Sequence, residues 1–143
     1  IDTDESCPTL TFNTIGRHQS RLVRTRIASN KSPWLMNTEP GQVYTVPISH
    51  GEGRFIASDS TLEQLIANGQ IATQYVDLDQ NPTGDIRFNP NNSVFAVEGI
   101  TSPDGRVFGK MGHSERIDID LYKNVDGVYD MKMFESAVKY FEI

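Results

Sequence analysis

Two side chains suited to proton transfer stand two residues apart in GKMGHSER: His113 and Glu115. A carboxylate that accepts from one imidazole nitrogen fixes the tautomer and leaves the other nitrogen to move a proton, which is the base half of a catalytic triad. By spacing alone, a surface turn carrying two polar residues is the commoner source of so short a pattern. A second cluster occurs in SHGEGRF. His50, Glu52 and Arg54 are ionisable, and Gly51 and Gly53 between them let the backbone turn sharply or come close to a ligand. It reads equally as a ligand-facing loop or an ordinary glycine turn. A triad also needs a nucleophile. The single cysteine, Cys7, lies in DESCPTL among acidic residues that raise a thiol pKa, and Pro8 follows it, so it reads as a bystander. The three histidines, His18, His50 and His113, are far apart and show no HxH or HExxH spacing, so no metal site is expected. Trp34, in SPWLM, reads as an aromatic covering a core edge.

The elements that must carry these residues are strand-rich. Gln19 to Ala28 alternates, with Val23, Thr25 and Ile27 on one side, and predicts a strand with one polar face. Val43 to Ser49 predicts a second strand, and Pro47, lacking an N–H, places it at an edge or a strand terminus. STLEQLIANG predicts a short helix with capping-box spacing between Ser60 and Glu63, an apolar stripe of Leu62, Leu65 and Ile66, and a stop at Gly69. Gln70 to Leu78 follows as a strand, and DIRF reads as a short one. VFAVEGI and RVFGKM read as two strands of a hairpin turned at Pro103, Asp104 and Gly105. Met133, Phe134, Ala137, Val138 and Phe141 have helical spacing and predict a closing amphipathic helix. Five or six strands with two helices are too few helices for a complete doubly wound domain. The pattern is that of the strand-rich half of something larger.

At 143 residues the chain holds at most one ordinary domain. A net charge of −6 argues against nucleic acid, whose binding needs a basic face. No apolar run approaches the roughly 20 residues of a membrane span. The acidic start IDTDESCPTL lacks the basic n-region of a signal peptide, and the missing initiator Met suggests a processed protein or a piece of a longer one. One cysteine fits a reducing cytoplasm.

Taken in order, LTFN, GRHQSRLVRTRI, SPWL, VPISHGEGRF, GQIATQYVD and NPNNSVFAVEGITSPDGRVFGKMGHSER resemble the C-terminal stretch of the phosphoribosylformylglycinamidine synthases. These are glutamine-dependent enzymes of purine biosynthesis, also called formylglycinamide ribonucleotide amidotransferases. The likeness runs from about Pro8 to Arg116, and HGEGRF with the H-x-E-R ending carries most of it. The resemblance implies the C-terminal part of a single flavodoxin-like class I glutaminase domain, α/β in class and incomplete, over residues 1–143. In that family the triad is Cys, His, Glu. The resemblance therefore gives catalytic roles to His113 and Glu115, and lays His50, Gly51, Glu52 and Arg54 near the glutamine site. The family's nucleophile lies in a Gly-x-Cys-Asn-Gly-x-Gln elbow, which is absent here. The elbow is expected upstream of Ile1, and the chain by itself is expected to be inactive.

Two positions depart from the family pattern. Ser114 stands where a proline is usual, which removes a fixed φ from the loop. Asn92 replaces a glycine, and asparagine tolerates the left-handed conformation better than most residues. The implied partners are L-glutamine and the ATP-dependent synthetase portion of the parent, which turns formylglycinamide ribonucleotide into the amidine with the released ammonia. ATP and Mg belong to that portion. With no Walker loop and no Rossmann fingerprint, no cofactor is expected in this segment. Apolar surface left by the missing half is expected to give weak self-association. A non-catalytic regulatory or scaffolding module with the same fold is the alternative, since Ser114 and the absent nucleophile fit it. A small α+β binding protein unrelated to purines is the third reading.

Overall fold

The computed structural model describes residues 7–116, 125 and 127–142. Its elements are β1 (Thr9–Thr11), β2 (Gln19–Ile27), β3 (Val43–His50), β4 (Arg54–Ile56), α1 (Asp59–Ala67), β5 (Ile71–Tyr75), β6 (Val97–Thr101), β7 (Phe108–Lys110) and α2 (Met133–Phe141). Five strands form one sheet in the order β3-β2-β5-β6-β7, and β1 pairs with β4 in a second. Every pair is antiparallel. Parallel neighbours need a long crossover, and β2–β3 and β6–β7 are joined by loops instead.

The alternation in β2 works as expected. Val23, Thr25 and Ile27 are buried. Val23 packs with Val46, Ile48, Tyr75 and Ala96, and Ile27 with Leu35, Tyr44, Ala72 and Met131. A third cluster sets Leu62 and Leu65 of α1 on Phe55, Ile71 and Val97. Pro47 sits within the edge strand β3, opposite Leu22. An edge position tolerates its missing N–H.

Several expectations need correction. DIRF is not a strand. The Asp85 carboxylate accepts from the backbone N–H of Arg87 at 2.9 Å and from its guanidinium at 2.7 Å, and Asn89 N–H returns to Asp85 O at 2.8 Å. That local bonding closes a turn and takes the groups a ladder would use. The Arg87 hydrogen bonds hold the Asp85 carboxyl down at about 2. The cap of α1 is Ser58, not Ser60: its backbone is extended and its Oγ accepts from Thr61 N–H. Ile66 is 49% exposed, because only Leu62 and Leu65 reach the sheet. VFAVEGI splits into a 3₁₀ turn at Val94–Ala96 and the strand β6. The closing helix forms, but Phe134, Val138 and Phe141 are exposed and the buried residues of α2 are Ser136 and Ala137. Trp34 meets Phe134 edge to face at 6.3 Å. Asn92 takes φ +56, the left-handed value its side chain tolerates.

The sheet cannot be flat. β3 and β7 lie at its two edges with three strands between them. Flat strands would put those edges about 19 Å apart at roughly 4.8 Å per step. Yet His113, three residues past the end of β7, donates its backbone N–H to Pro47 O of β3 at 2.8 Å. β2 pairs with β5 only through Thr25, Arg26 and Ile27, and the β5–β6 register shifts twice. The long β2–β3 hairpin is thus free to bend over toward the end of β7.

Candidate active site

The loop beyond β7 is held at nearly every residue. Met111 N–H donates to Glu98 O at 2.9 Å, and Gly112 N–H to Glu98 Oε1 at 2.7 Å. The chain passes so close to β3 that a Cβ on Gly112 would fall 2.6 and 2.7 Å from the two Val46 methyls. Only glycine fits there. His113 N–H reaches Pro47 O, and Arg116 N–H closes a turn onto His113 O at 3.0 Å.

On this support His113 Nδ1 lies 2.8 Å from Glu115 Oε1. The His113 side chain is 26% exposed and that of Glu115 56%. The Glu115 pKa is lowered, first by a hydrogen bond from its own backbone N–H and then by the His113 imidazole. The carboxylate is therefore ionised at neutral pH and can orient Nδ1–H, leaving Nε2 for proton transfer.

His50, at the end of β3, stacks on His113 with ring centroids 5.2 Å apart and planes 13° from parallel. Burial lowers the His50 pKa most, the neighbouring His113 adds to the effect, and Glu98 opposes it. A neutral ring thus backs the His113 face. Gly53 serves close approach: a Cβ there would sit 2.5 Å from Asn91 Nδ2 and 2.9 Å from Met111 Cε. Gly51 is not crowded, and its carbonyl accepts from Asn13 N–H at 3.1 Å. Glu52 is exposed. Arg54 Nε donates to Asn92 O at 3.3 Å, tying β4 to the turn ahead of β6. The structure therefore brings His50 onto His113, and sends Glu52 to solvent and Arg54 to the backbone. His18 lies beside the end of β3, with Nε2 2.9 Å from Ser49 Oγ, and its charge adds to the lowering of the His50 pKa.

Cys7 is exposed, just ahead of β1. β1 runs antiparallel to β4, with Thr11 opposite Arg54 and Thr9 opposite Ile56. That direction carries Cys7 away from the His50 loop, on the order of 10 Å along the strand at about 3.3 Å per residue. Among the described residues no three His, Cys, Asp or Glu side chains gather to hold a metal ion.

Two residues beneath the loop were not singled out from the sequence. Lys110 Nζ lies 3.1 Å from Glu98 Oε1, with side chains 8% and 0% exposed. The signal was a charge inside an apolar run, Glu98 in VFAVEGI and Lys110 in VFGKM. A charge buried in such a run must be paired.

Residues 1–141 match the family model described as a CobB/CobQ-like glutamine amidotransferase domain. The chain is 41% identical over 106 residues to phosphoribosylformylglycinamidine synthase subunit PurQ of Synechocystis sp., an overlap of 74% of this chain and 46% of that one. The structure of PurLQS from Thermotoga maritima matches with a TM-score of 0.70 at 24% identity, over 95% of this chain and 54% of that one. At that identity the likeness speaks to the fold: a mixed α/β arrangement with a curled five-stranded sheet and two helices. The chain spans about half the length of the relatives it matches.

Proposed function

The chain belongs to the CobB/CobQ-like glutamine amidotransferase family, and we propose that it supplies the base and orienting carboxylate of a glutaminase serving phosphoribosylformylglycinamidine synthesis. The observation that carries this reading is the 2.8 Å contact of His113 Nδ1 with Glu115 Oε1, on a loop hydrogen-bonded to β6 and to the edge strand β3. The 41% identity to a synthase subunit supports the substrate class.

In this reading the nucleophile is a cysteine on the elbow that the family resemblance sets upstream. His113 Nε2 takes the thiol proton, and the thiolate adds to the side-chain amide carbon of glutamine. Glu115 stabilises the imidazolium. Backbone amides of the elbow receive the oxyanion. His113 returns the proton to nitrogen, the C–N bond breaks, and ammonia leaves a glutamyl thioester. Water, deprotonated by His113, cleaves the thioester to glutamate and free thiol. Ammonia passes to a cytoplasmic ATP- and Mg-dependent synthetase partner, and this segment binds no cofactor of its own.

The test is glutamate release from glutamine by the full-length parent. His113→Ala should abolish it. Glu115→Ala should lower kcat by about 10⁴-fold, the size of loss seen when the orienting acid of a triad is removed. Cys7→Ser should change nothing. Wild-type rates in His113→Ala, or loss of activity in Cys7→Ser, would overturn the assignment.

A further inference from the structure

We propose that Lys110, Glu98 and Ser114 are positioning residues for the His113–Glu115 dyad, through a buried polar brace that grips the loop on both sides of His113. The proposal rests on the reading of His113 as the base. An ammonium has three protons to donate, and Lys110 Nζ has three acceptors: Glu98 Oε1 at 3.1 Å, Gly112 O at 3.2 Å and Ser114 Oγ at 2.9 Å. Two of the three belong to the residues flanking His113. Glu98 is equally occupied. Its Oε1 accepts from Gly112 N–H at 2.7 Å, and its Oε2 accepts from the Thr73 hydroxyl of β5. The Ser114 hydroxyl in turn donates a hydrogen bond to Met131 Sδ at 3.4 Å. Both the amide and the carbonyl of Gly112, and the side chain of Ser114, are thus fixed to one ion pair anchored in β5, β6 and β7.

The physical reason for such a pair is direction. A buried ion pair is a weak source of stability, because apolar residues of similar volume replace it at little or no loss. What apolar residues cannot do is hold a carbonyl, an amide and a hydroxyl in set directions. Position 114 lies between base and orienter, and a serine there does not fix its own φ as a proline ring would. The hydrogen bond from Lys110 restrains it from the side-chain end. Misplacement of a catalytic group by about 1 Å can cost 10²-fold in rate, so the brace acts on geometry and leaves substrate affinity alone.

The experiment compares wild type with Lys110→Met/Glu98→Leu and with the milder Ser114→Ala. The ¹⁵N imidazole spectrum of the chain reports the His113 tautomer, and amide hydrogen exchange reports residues 111 to 115. The full-length parent reports kcat and KM for glutamine. Wild type should show a single tautomer with the proton on Nδ1. The double variant should show mixed tautomers, at least tenfold faster loop exchange, and kcat down about tenfold to a hundredfold with KM within about twofold. Ser114→Ala should fall between. A single tautomer and unchanged loop exchange in both variants would overturn the proposal, even if His113→Ala remained inactive. Mixed tautomers with undiminished kcat would instead overturn the reading of His113 as the base. If the double variant does not fold, Ser114→Ala decides alone.

Discussion

Adding one methyl group at position 112 should be costly, and a second mutation should show where the cost arises. The new Cβ in Gly112→Ala would lie 2.6 and 2.7 Å from the Val46 methyls and 2.8 Å from Glu98 Oε1. Non-bonded carbons settle at about 3.5–4.0 Å, so something must move by roughly 1 Å. The loop is poorly placed to give. Gly112 N–H is held by a carboxylate at 2.7 Å and His113 N–H by Pro47 O at 2.8 Å. Val46 is 2% exposed and packs against Val23, Ile48, Tyr75 and Ala96. Overpacking costs about 1–3 kcal/mol, and losing a hydrogen bond to a charged group about 1.5–3 kcal/mol. The cheaper route prevails, which sets the expected loss at about 2 kcal/mol. That is a fall in Tm of roughly 8 °C at about 4 °C per kcal/mol for a chain of this size. Val46→Ala alone removes two carbons and costs about 2 kcal/mol by transfer. In the double variant the alanine at 112 fills space that Val46 vacated, so the two losses should overlap by at least 1 kcal/mol. Urea unfolding of the four proteins, with m-values compared, completes the cycle. Additivity within about 0.5 kcal/mol, or a Gly112→Ala variant as stable as wild type, would refute the close-approach argument.

Thr25 Oγ1 is buried without a hydrogen-bond partner among the described residues. Thr25→Val keeps the shape and removes the stranded hydroxyl, so thermal unfolding should show a gain of about 1 kcal/mol. Ser58→Ala should cost about 1 kcal/mol, because Thr61 N–H loses its cap; equal urea midpoints for the two proteins would remove Ser58 from that role. The folded-state pKa of His50 lies below its ordinary 6.5, so the unfolded chain binds protons more readily there. Stability from this group is whole above about pH 6.5 and declines as pH falls toward the folded value. His50→Phe keeps a ring and cannot titrate. Its urea midpoint should therefore drop less than that of wild type between pH 7.5 and 5, and parallel curves would count against the shift.

What could be read from the sequence was local. The alternation of β2 identified Val23, Thr25 and Ile27 as its inner face, because side chains on a strand repeat every second residue whatever the sheet does. Pro47 narrowed its strand to an edge or a terminus, since it has no N–H to donate, and the sheet order made it an edge. The turn around Gly105, at φ +76, followed from residue types alone. The two-residue spacing of His113 and Glu115 allowed their contact but by itself favoured a plain surface turn, and the family resemblance was what pointed to the pair. Where local chemistry competed, the pattern misled. DIRF looked like a strand until the Asp85 carboxylate closed it into a turn, and Ser58 capped α1 ahead of Ser60. Tertiary structure alone decided the rest of the site. His50 stacks on His113 because the sheet bends until its first and last strands share a loop, and that bend arises from short pairing between β2 and β5 that no periodicity encodes. Lys110 and Glu98 were visible as charges in apolar runs, but their union is set by three-dimensional packing. Each must find a counter-charge where water is excluded, and the residues of the His113 loop complete the set.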